Sequence, residues 1–377
     1  MSIVSISIQN FKLLRDVKLK FCSGINIFYG LNGSGKTSLL EVLFFLSRGK
    51  SFKQNISNRL ITIGSDQFII FGLISQNSHI GISKSLSENL RIKYDNKFIL
   101  SSFILSKSII LQILNPDSYL LIDSGPSIRR KFMDWLVFHV KHNLYIQWKR
   151  YRLIIKNRNK ALKSKLSKSE IRIWDHELTQ LTNLLSENRQ NYIDILNLKL
   201  KIYKNKYLFN FDICIEYYPG WNIKDSYTSI LDNNFNKDFK FGFTQYGLHK
   251  ADFILKININ NNFYLLKDYL SNGQKKYIAM FIYILQMIIY KENIDEYFIK
   301  PLLLIDDITS ELDTLHSDLL LSLIAELDLQ IFFTLLQTTE NMQLISQFKN
   351  SQKLKKEVKL FHVKHGEINE QSNKKEV

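Results

Sequence analysis

Cysteine is almost absent from this chain. Only Cys22 and Cys214 occur among 377 residues, and neither has a second Cys or a His at zinc-ligand spacing. A disulfide framework and a Cys/His zinc site are therefore excluded. Long apolar runs are also missing, since the longest, Phe281–Tyr290, is too short and interrupted to cross a bilayer. The first residues alternate like a strand and lack the order of a signal peptide. We predict a cytoplasmic protein of a reducing compartment, with no membrane partner.

Acidic residues are few relative to basic ones. The chain has 35 Asp+Glu against 51 Lys+Arg, a formal charge of +16. This surplus attracts polyanions, with nucleic acid the first candidate and an anionic membrane surface the second. Proline is scarce while Ile, Asn and Lys are abundant, so codon drift in an AT-rich genome accounts for part of the lysine excess. Aromatic residues make up 13%, but we find no regular alternation with basic residues, and sequence-specific DNA recognition is not supported.

The pattern of apolar residues predicts an α/β fold in several parts. Strands are expected at Ile3–Ile8 and Ile25–Tyr29, with a buried helix at Ser38–Arg48. From Ser127 to Lys206 there is no Pro or Gly, which favours a domain of several short helices. We predict an ATPase head in two sequence parts with a helical insertion. The predicted bounds are 1–107 and 209–366 for the head, 108–208 for the helical domain, and 367–377 for a disordered tail.

The most specific motif is a phosphate loop. It fits Gly-x-x-x-x-Gly-Lys-Thr, follows a predicted strand and precedes a predicted helix, which is the context that supports it. Its glycines let backbone N–H groups surround phosphates, and the helix N-terminus favours negative charge. Lys36 is expected to contact the β- and γ-phosphates, and Thr37 to hold Mg²⁺. The predicted nucleotide-binding residues here are Gly30, Leu31, Asn32, Gly33, Ser34, Gly35, Lys36, Thr37 and Ser38.

Two further motifs complement the loop. The apolar run Leu302–Ile305 ends in Asp306 and Asp307. Asp306 is the predicted second Mg²⁺ ligand, and Asp307 is predicted to orient or activate the attacking water. Upstream, Ser271-Asn-Gly-Gln274 opens a predicted helix and is either an anion site or a simple N-cap.

These motifs, in this order, resemble an ABC-type ATPase head, and Ser310-Glu-Leu-Asp313 resembles its D-loop. Longer stretches resemble the bacterial DNA-repair family RecF, in family order from the N-terminus to about Gly366. No long coiled coil is predicted, unlike in SMC proteins. The stretches that carry the resemblance are Asn10-Phe-Lys12, Gly125–Trp135, Lys156–Leu162 and Gly247–Asp252.

The resemblance implies an ATP- and Mg²⁺-binding protein of gap repair, replication and the SOS response. It implies a homodimer that encloses two ATP molecules, with Ser271 and Gly273, in the motif ending at Gln274, reaching the ATP of the other copy. The implied partners are single-stranded DNA or single/double-strand junctions, RecO and RecR. Three alternatives remain: an ATPase subunit of a transporter, another SMC-like head, or a kinase-like phosphotransferase that uses the same loop, in which the Ser271–Gln274 motif would have no role.

Several residues depart from the family pattern. Lys12 replaces Arg, Leu248 replaces Pro, and Asp307 replaces the Glu usual in ABC heads. No switch His follows Ile331–Thr334, which together with Asp307 suggests a slow, switch-like ATPase. Some assignments stay open. The Q-loop glutamine is Gln67 or Gln76, His249 and Lys250 are site residues or structural, and the basic residues Arg129, Arg130, Lys131, Lys149, Arg150 and Arg152 contact DNA or form solvated helix faces.

Overall fold

The computed structural model describes residues 2–53, 57–74, 78–99, 102–141, 143–208, 211–293, 300–307, 312–339, 341–342 and 357–371. The chain divides into two compact units. The first joins Met1–Ser118 to Asp295–Val377, and the second is the continuous segment Tyr119–Ile294. One unit is thus inserted in the sequence of the other.

The first unit contains two six-stranded sheets. One is antiparallel, in the order β2-β1-β4-β5-β6-β7. Its strands are β1 Ile3–Phe11, β2 Leu14–Lys20, β4 Gln67–Ile74, β5 Ser78–Ser85, β6 Arg91–Tyr94 and β7 Lys97–Phe98. The other has the order β15-β14-β3-β13-β12-β8 and is parallel except for β15. Its strands are β3 Ile25–Gly30, β8 Leu111–Leu114, β12 Leu302–Asp306, β13 Gln330–Leu336, β14 Val358–Lys364 and β15 Glu367–Glu370.

Helix α1 at the core of this unit is apolar on most of its faces. It spans Lys36–Arg48, and its buried residues include Leu39, Leu43 and Phe45. The rings of Phe45 and of Phe68 in β4 pack edge-on, with their centroids 5.7 Å apart. Burial on several sides explains why the segment lacks the polar face of a surface helix. The other helices of the unit are α2 Phe103–Ser108 and α12 Thr314–Glu326.

The second unit is mainly helical and also carries a three-stranded antiparallel sheet in the order β11-β10-β9. Its strands are β9 Asp212–Tyr218, β10 Asp252–Ile259 and β11 Asn262–Leu265. Its helices are α3 Leu120–Asp123, α4 Pro126–Val140, α5 Asn143–Lys163, α6 Lys168–Arg172, α7 Asp175–Tyr207, α8 Tyr227–Asn233, α9 Phe235–Phe241, α10 Leu266–Tyr269 and α11 Asn272–Glu292. Among the helices that the structure describes, none is long and apolar enough to cross a membrane.

Four details of the predicted organisation need correction. The predicted boundary at 107/108 falls too early, because β8 at Leu111–Leu114 pairs with β12 and the first unit runs to Ser118. The predicted head segment 209–366 is divided between the units, because β9, β10 and β11 form a sheet of their own among the described strands and belong to the unit of the helices before them. The predicted tail begins too early, since Glu367–Glu370 pairs with β14. The helices are not all short, because α7 runs for 33 residues without a Pro or Gly to end it.

Candidate nucleotide site

The phosphate loop begins where β3 meets a neighbouring backbone. A Cβ on Gly30 would lie 2.2 Å from the carbonyl oxygen of Val363 in β14, so only glycine fits. Gly33 and Gly35 have φ of +73° and +115°, which other residues rarely adopt. Glycine is therefore required at Gly30 because another backbone approaches closely, and at Gly33 and Gly35 because of their backbone conformation.

The loop leads directly into α1. The N–H of Leu39 donates to the Gly35 carbonyl at 3.1 Å and begins the helical ladder. The N–H groups of Lys36, Thr37 and Ser38 precede that bond, and helix geometry leaves such groups for a ligand. The Ser34 hydroxyl is buried and has no hydrogen-bond partner within the described residues. Open donors and an unpartnered hydroxyl fit an anion such as phosphate.

The C-terminal hairpin supports the loop from the side. The N–H of Gly366 donates to the Ser34 carbonyl at 2.8 Å. Gly366 has φ +85°, and a Cβ there would lie 2.1 Å from the Leu13 carbonyl oxygen. The turn between β14 and β15, at His365-Gly366, therefore positions the phosphate loop.

Lys36 turns back onto its own loop. Its Nζ donates to the carbonyls of Gly30 and Leu31, both at 2.9 Å. Burial lowers the pKa of Lys36, while the charges of Asp307 and Asp306 oppose that shift. An anionic phosphate is a stronger acceptor than a neutral carbonyl, so the ammonium is placed to exchange one for the other.

Thr37 and Asp306 meet, although they are 269 residues apart. The Thr37 hydroxyl donates to Asp306 Oδ1 at 3.0 Å. A second hydroxyl, from Thr334 in the adjacent strand β13, donates to the same oxygen at 2.9 Å. A carboxylate beside a hydroxyl is the donor set that Mg²⁺ shares with phosphates and water. Within the described residues no cluster of three His, Cys, Asp or Glu could hold a metal alone.

Lys53 is a site residue that the sequence analysis missed. It follows α1, and its Nζ lies 3.8 Å from Asp306 Oδ2. Its side chain is 47% exposed, against 6% for Asp306, so the cation lies at the open side of the carboxylate. In the sequence, Lys53 is only a basic residue shortly after α1. No neighbouring residue indicates that it faces β12.

Asp307 occupies an unusual backbone conformation just after β12. Its φ is +50°, in the left-handed region that Asp tolerates better than most residues. Its N–H donates to the Thr334 hydroxyl at 3.1 Å. Thr334 therefore forms hydrogen bonds with both Asp306 and Asp307. It lies on β13, the strand that no switch His follows. Ser310 and Glu311 of the predicted D-loop lie outside the described residues.

Asp313, at the end of the predicted D-loop, caps α12. Its carboxylate accepts from the His316 N–H at 2.9 Å, and hydrogen bonds from His316 lower the pKa of Asp313. Within the described residues, the structure therefore gives Asp313 a capping role.

Lys12 has an internal partner. Its ammonium pairs with Glu41 of α1, whose side chain is fully buried. Glu41 also accepts a hydrogen bond from the Ser51 hydroxyl. The Lys in place of Arg thus keeps a charge that neutralises a buried acid in the helix behind the phosphate loop.

The Ser271 motif is the N-terminus of α11. The Ser271 hydroxyl accepts from the Gln274 N–H at 3.3 Å, and the Gln274 side chain accepts from the Ser271 N–H at 3.0 Å. This capping box corresponds to the simple N-cap, one of the two alternatives predicted for the motif. Ser271 is nevertheless exposed, and a Cβ on Gly273 would meet no atom within 4 Å. A cap with an open face is compatible with contact to a second molecule.

Arg129 and Arg130 are partly buried and both contact residues at the start of β10. Arg129 binds both carboxylate oxygens of Asp252, at 2.7 and 2.9 Å. Arg130 donates to the Ala251 carbonyl at 2.8 Å. These contacts join α4 to the start of β10, a structural role that neither alternative for this pair included.

His249 is a satisfied structural group. Its ring nitrogens lie 3.1 Å from the Tyr151 hydroxyl and 2.9 Å from the Thr244 carbonyl. Burial lowers the pKa of His249. Leu248 before it is fully buried, and its carbonyl accepts from Arg189 at 3.1 Å. The residue in place of Pro is thus packed into the core of the unit.

The Q-loop glutamine stays undecided. Gln67 is the exposed first residue of β4, and Gln76 lies outside the described residues.

The fold and the site define an ATPase head of the P-loop ABC class with an inserted unit. The family described as RecF/RecN/SMC N terminal domain matches residues 2–360. The DNA replication and repair protein RecF of Shewanella frigidimarina (strain NCIMB 400) is 32% identical over 369 residues, which cover 97% of this chain and 98% of that protein. The RecF of Shewanella sp. (strain MR-4) is 33% identical over 340 residues, with 89% and 92% covered. The chain belongs to the RecF family of DNA replication and repair proteins.

Solved structures agree with this assignment. The recombination mediator protein RecF-ATP in the RecFOR pathway superposes with a TM-score of 0.82 at 25% identity, over 98% of each chain. The Smc head domain of Pyrococcus furiosus has a TM-score of 0.60 at 13% identity, over 98% of this chain and 96% of that one, a likeness in fold. The predicted fold class and family are confirmed, and the comparisons favour DNA repair over the transporter alternative.

Proposed function

We propose that this protein is an ATP-gated DNA-binding protein of recombinational repair that acts in the cytoplasm. The observation that carries the proposal is the meeting of Thr37 and Asp306 at 3.0 Å beside a phosphate loop with open N–H donors. In this proposal the loop residues Gly30–Ser38 bind the phosphates of ATP, and Thr37 and Asp306 hold Mg²⁺. The bound nucleotide supplies the negative charge that draws Lys36 away from its two carbonyl partners.

The proposed ATPase is slow and serves as a switch. Asp307 orients water for attack, but its carboxylate stands on a chain one methylene shorter than a glutamate would. Thr334 lies on β13, the next strand after Asp307 in the sequence. ABC transporters carry a switch His after the corresponding strand, and this chain has none there. These two features favour long-lived binding over rapid turnover.

ATP is proposed to join two copies of the chain. Ser271, Gly273 and Gln274 of one copy complete the site around the phosphates bound by the other. The support is the exposed N-terminus of α11, whose N–H groups and dipole favour an anion. Hydrolysis then releases the dimer from DNA. The RecF name of the relatives and the RecFOR pathway of the solved structure support DNA, RecO and RecR as partners.

Sedimentation tests this proposal with three proteins: wild type, Lys36→Ala and Ser271→Arg. The wild type is expected to dimerise with ATP and to bind DNA more tightly in its presence. Lys36→Ala is expected to lose ATP binding, and Ser271→Arg to keep ATP binding but stay monomeric. DNA affinity that responds neither to ATP nor to Lys36→Ala would refute gating by ATP.

A further inference from the structure

Helix α5 of the inserted unit carries charge of one sign. Its 21 residues, Asn143–Lys163, include no Asp and no Glu. Its seven basic residues are Lys149, Arg150, Arg152, Lys156, Arg158, Lys160 and Lys163. A helix that only needed solubility would mix both signs on its exposed side, so the segregation calls for a cause.

Two of the seven have structural roles. Arg158 is fully buried and binds Asp175 and Asp238 at 2.8 and 2.7 Å. Arg150 binds Glu177 at 2.5 Å. These two arginines thereby neutralise Glu177, Asp175 and Asp238.

The other five form a single stripe, which we name the α5 stripe: Lys149, Arg152, Lys156, Lys160 and Lys163. They are separated by three, four, four and three residues, so they lie on one side of the helix within about 80°. All five are exposed. Within the described residues none forms an ion pair, although the Nζ of Lys149 lies 5.4 Å from the Tyr145 ring. At about 1.5 Å per residue the stripe is about 21 Å long.

One end of the α5 stripe meets two exposed aromatic rings. A Cβ on Gly242 would lie 3.1 Å from Lys163 Cγ, so the Lys163 side chain runs across the glycine between Phe241 and Phe243. These rings are 58% and 39% exposed, and their centroids lie 6.4 Å apart. The exposed Lys240 precedes them.

A row of unpaired cations that ends on open aromatic faces has the chemistry of a single-stranded nucleic acid site. Cations that follow the backbone neutralise its phosphates, while exposed rings stack on bases whatever their sequence. We infer that the α5 stripe binds the phosphates of single-stranded DNA, with bases stacked on Phe241 and Phe243. This inference rests on the DNA binding proposed above and assigns it a surface.

The test compares two triple variants with the same net charge. The stripe variant carries Arg152→Gln, Lys156→Gln and Lys160→Gln. The matched control carries Lys18→Gln, Lys97→Gln and Lys107→Gln, three exposed lysines of the first unit. Fluorescence anisotropy with a labelled single strand gives the slope of log affinity against log salt for each protein, and ATP affinity and circular dichroism confirm that each is folded.

Each phosphate contact on a single strand contributes about 0.7 to that slope, so the stripe variant is expected to lose about 2. The control is expected to keep the wild-type slope. A stripe variant with the wild-type slope, or an equal loss in both variants, overturns the inference while leaving DNA binding in place. A wild type that binds no DNA instead overturns the proposed function, and the two failures are therefore distinguishable.

Two further variants separate charge from stacking. The charge-retaining triple Arg152→Lys, Lys156→Arg and Lys160→Arg is expected to keep the slope, and its loss would overturn phosphate contact. Phe241→Leu with Phe243→Leu is expected to lower single-strand affinity about tenfold at an unchanged slope. Duplex affinity should not change in this double variant, and an equal fall for duplex would refute base stacking.

Discussion

Arg158 and Arg150 allow a matched measurement of what burial does to an ion pair. Both stand on α5, and both pair with an acid in the first turn of α7, Asp175 or Glu177. The Arg158 side chain is fully buried and also binds Asp238, which is 2% exposed. The Arg150 and Glu177 side chains are 52% and 40% exposed.

We expect Arg158→Met to lower the free energy of unfolding by about 3–5 kcal/mol, because it leaves a buried carboxylate without its cation. Arg150→Met should lower it far less, since water replaces an exposed partner. Methionine keeps most of the aliphatic volume in both cases. Urea unfolding followed by circular dichroism at 222 nm measures both losses on one helix.

The loss also has a predicted dependence on pH. Burial raises the pKa of Asp238 even beside Arg158, and without the cation that pKa rises further. A group whose pKa is raised on folding stabilises the protein at low pH and loses that effect as pH rises through the folded value. The deficit of Arg158→Met should therefore be smaller at pH 5 than at pH 8. Equal losses for the two variants, or a deficit that grows on acidification, would refute this account.

Other variants test the remaining contacts. Gly30→Ala should destabilise the first unit by about 1–3 kcal/mol in urea unfolding, because its Cβ meets the Val363 carbonyl; Gly273→Ala, which meets nothing, is the control, and equal losses would contradict the argument. His249 has a lowered pKa in the folded state, so its contribution is present above about pH 6.5 and lost as pH falls. His249→Gln should flatten the stability profile between pH 7.5 and 5, and an unchanged profile would count against it. Arg129→Gln should lower the free energy of unfolding by about 1.5–3 kcal/mol and leave the slope of log DNA affinity against log salt unchanged. A smaller slope would instead show that Arg129 contacts DNA phosphates.

Local patterns identified the centre of the site because its parts are continuous in sequence. Strand, glycine loop and helix follow one another from Ile25 to Arg48, so one motif predicted β3, the loop and α1 together. Asp306 was predicted because an apolar strand that ends in an acid is a local feature too. The family assignment followed from the order of several such motifs and is confirmed by relatives matched over nearly the whole chain.

Basic residues show where local patterns fail. Arg129 and Lys156 both belong to helices rich in positive charge, and nothing in the neighbouring residues separates them. The tertiary structure does, because the acid that pairs with Arg129 comes from 123 residues away, whereas Lys156 faces solvent. A charge is free for a ligand only if the fold brings it no partner.

The sequence by itself determined the glycine-rich loop between β3 and α1, the apolar strand that ends in Asp306, and the family. These depend on residues that are neighbours along the chain. Only the tertiary structure decided that Thr334 holds Asp306 and Asp307, that the C-terminal hairpin supports the phosphate loop, and that the α5 stripe forms no ion pair in the part of the chain that the structure describes. These depend on hydrogen bonds, close approach and ion pairing between segments that folding alone brings together.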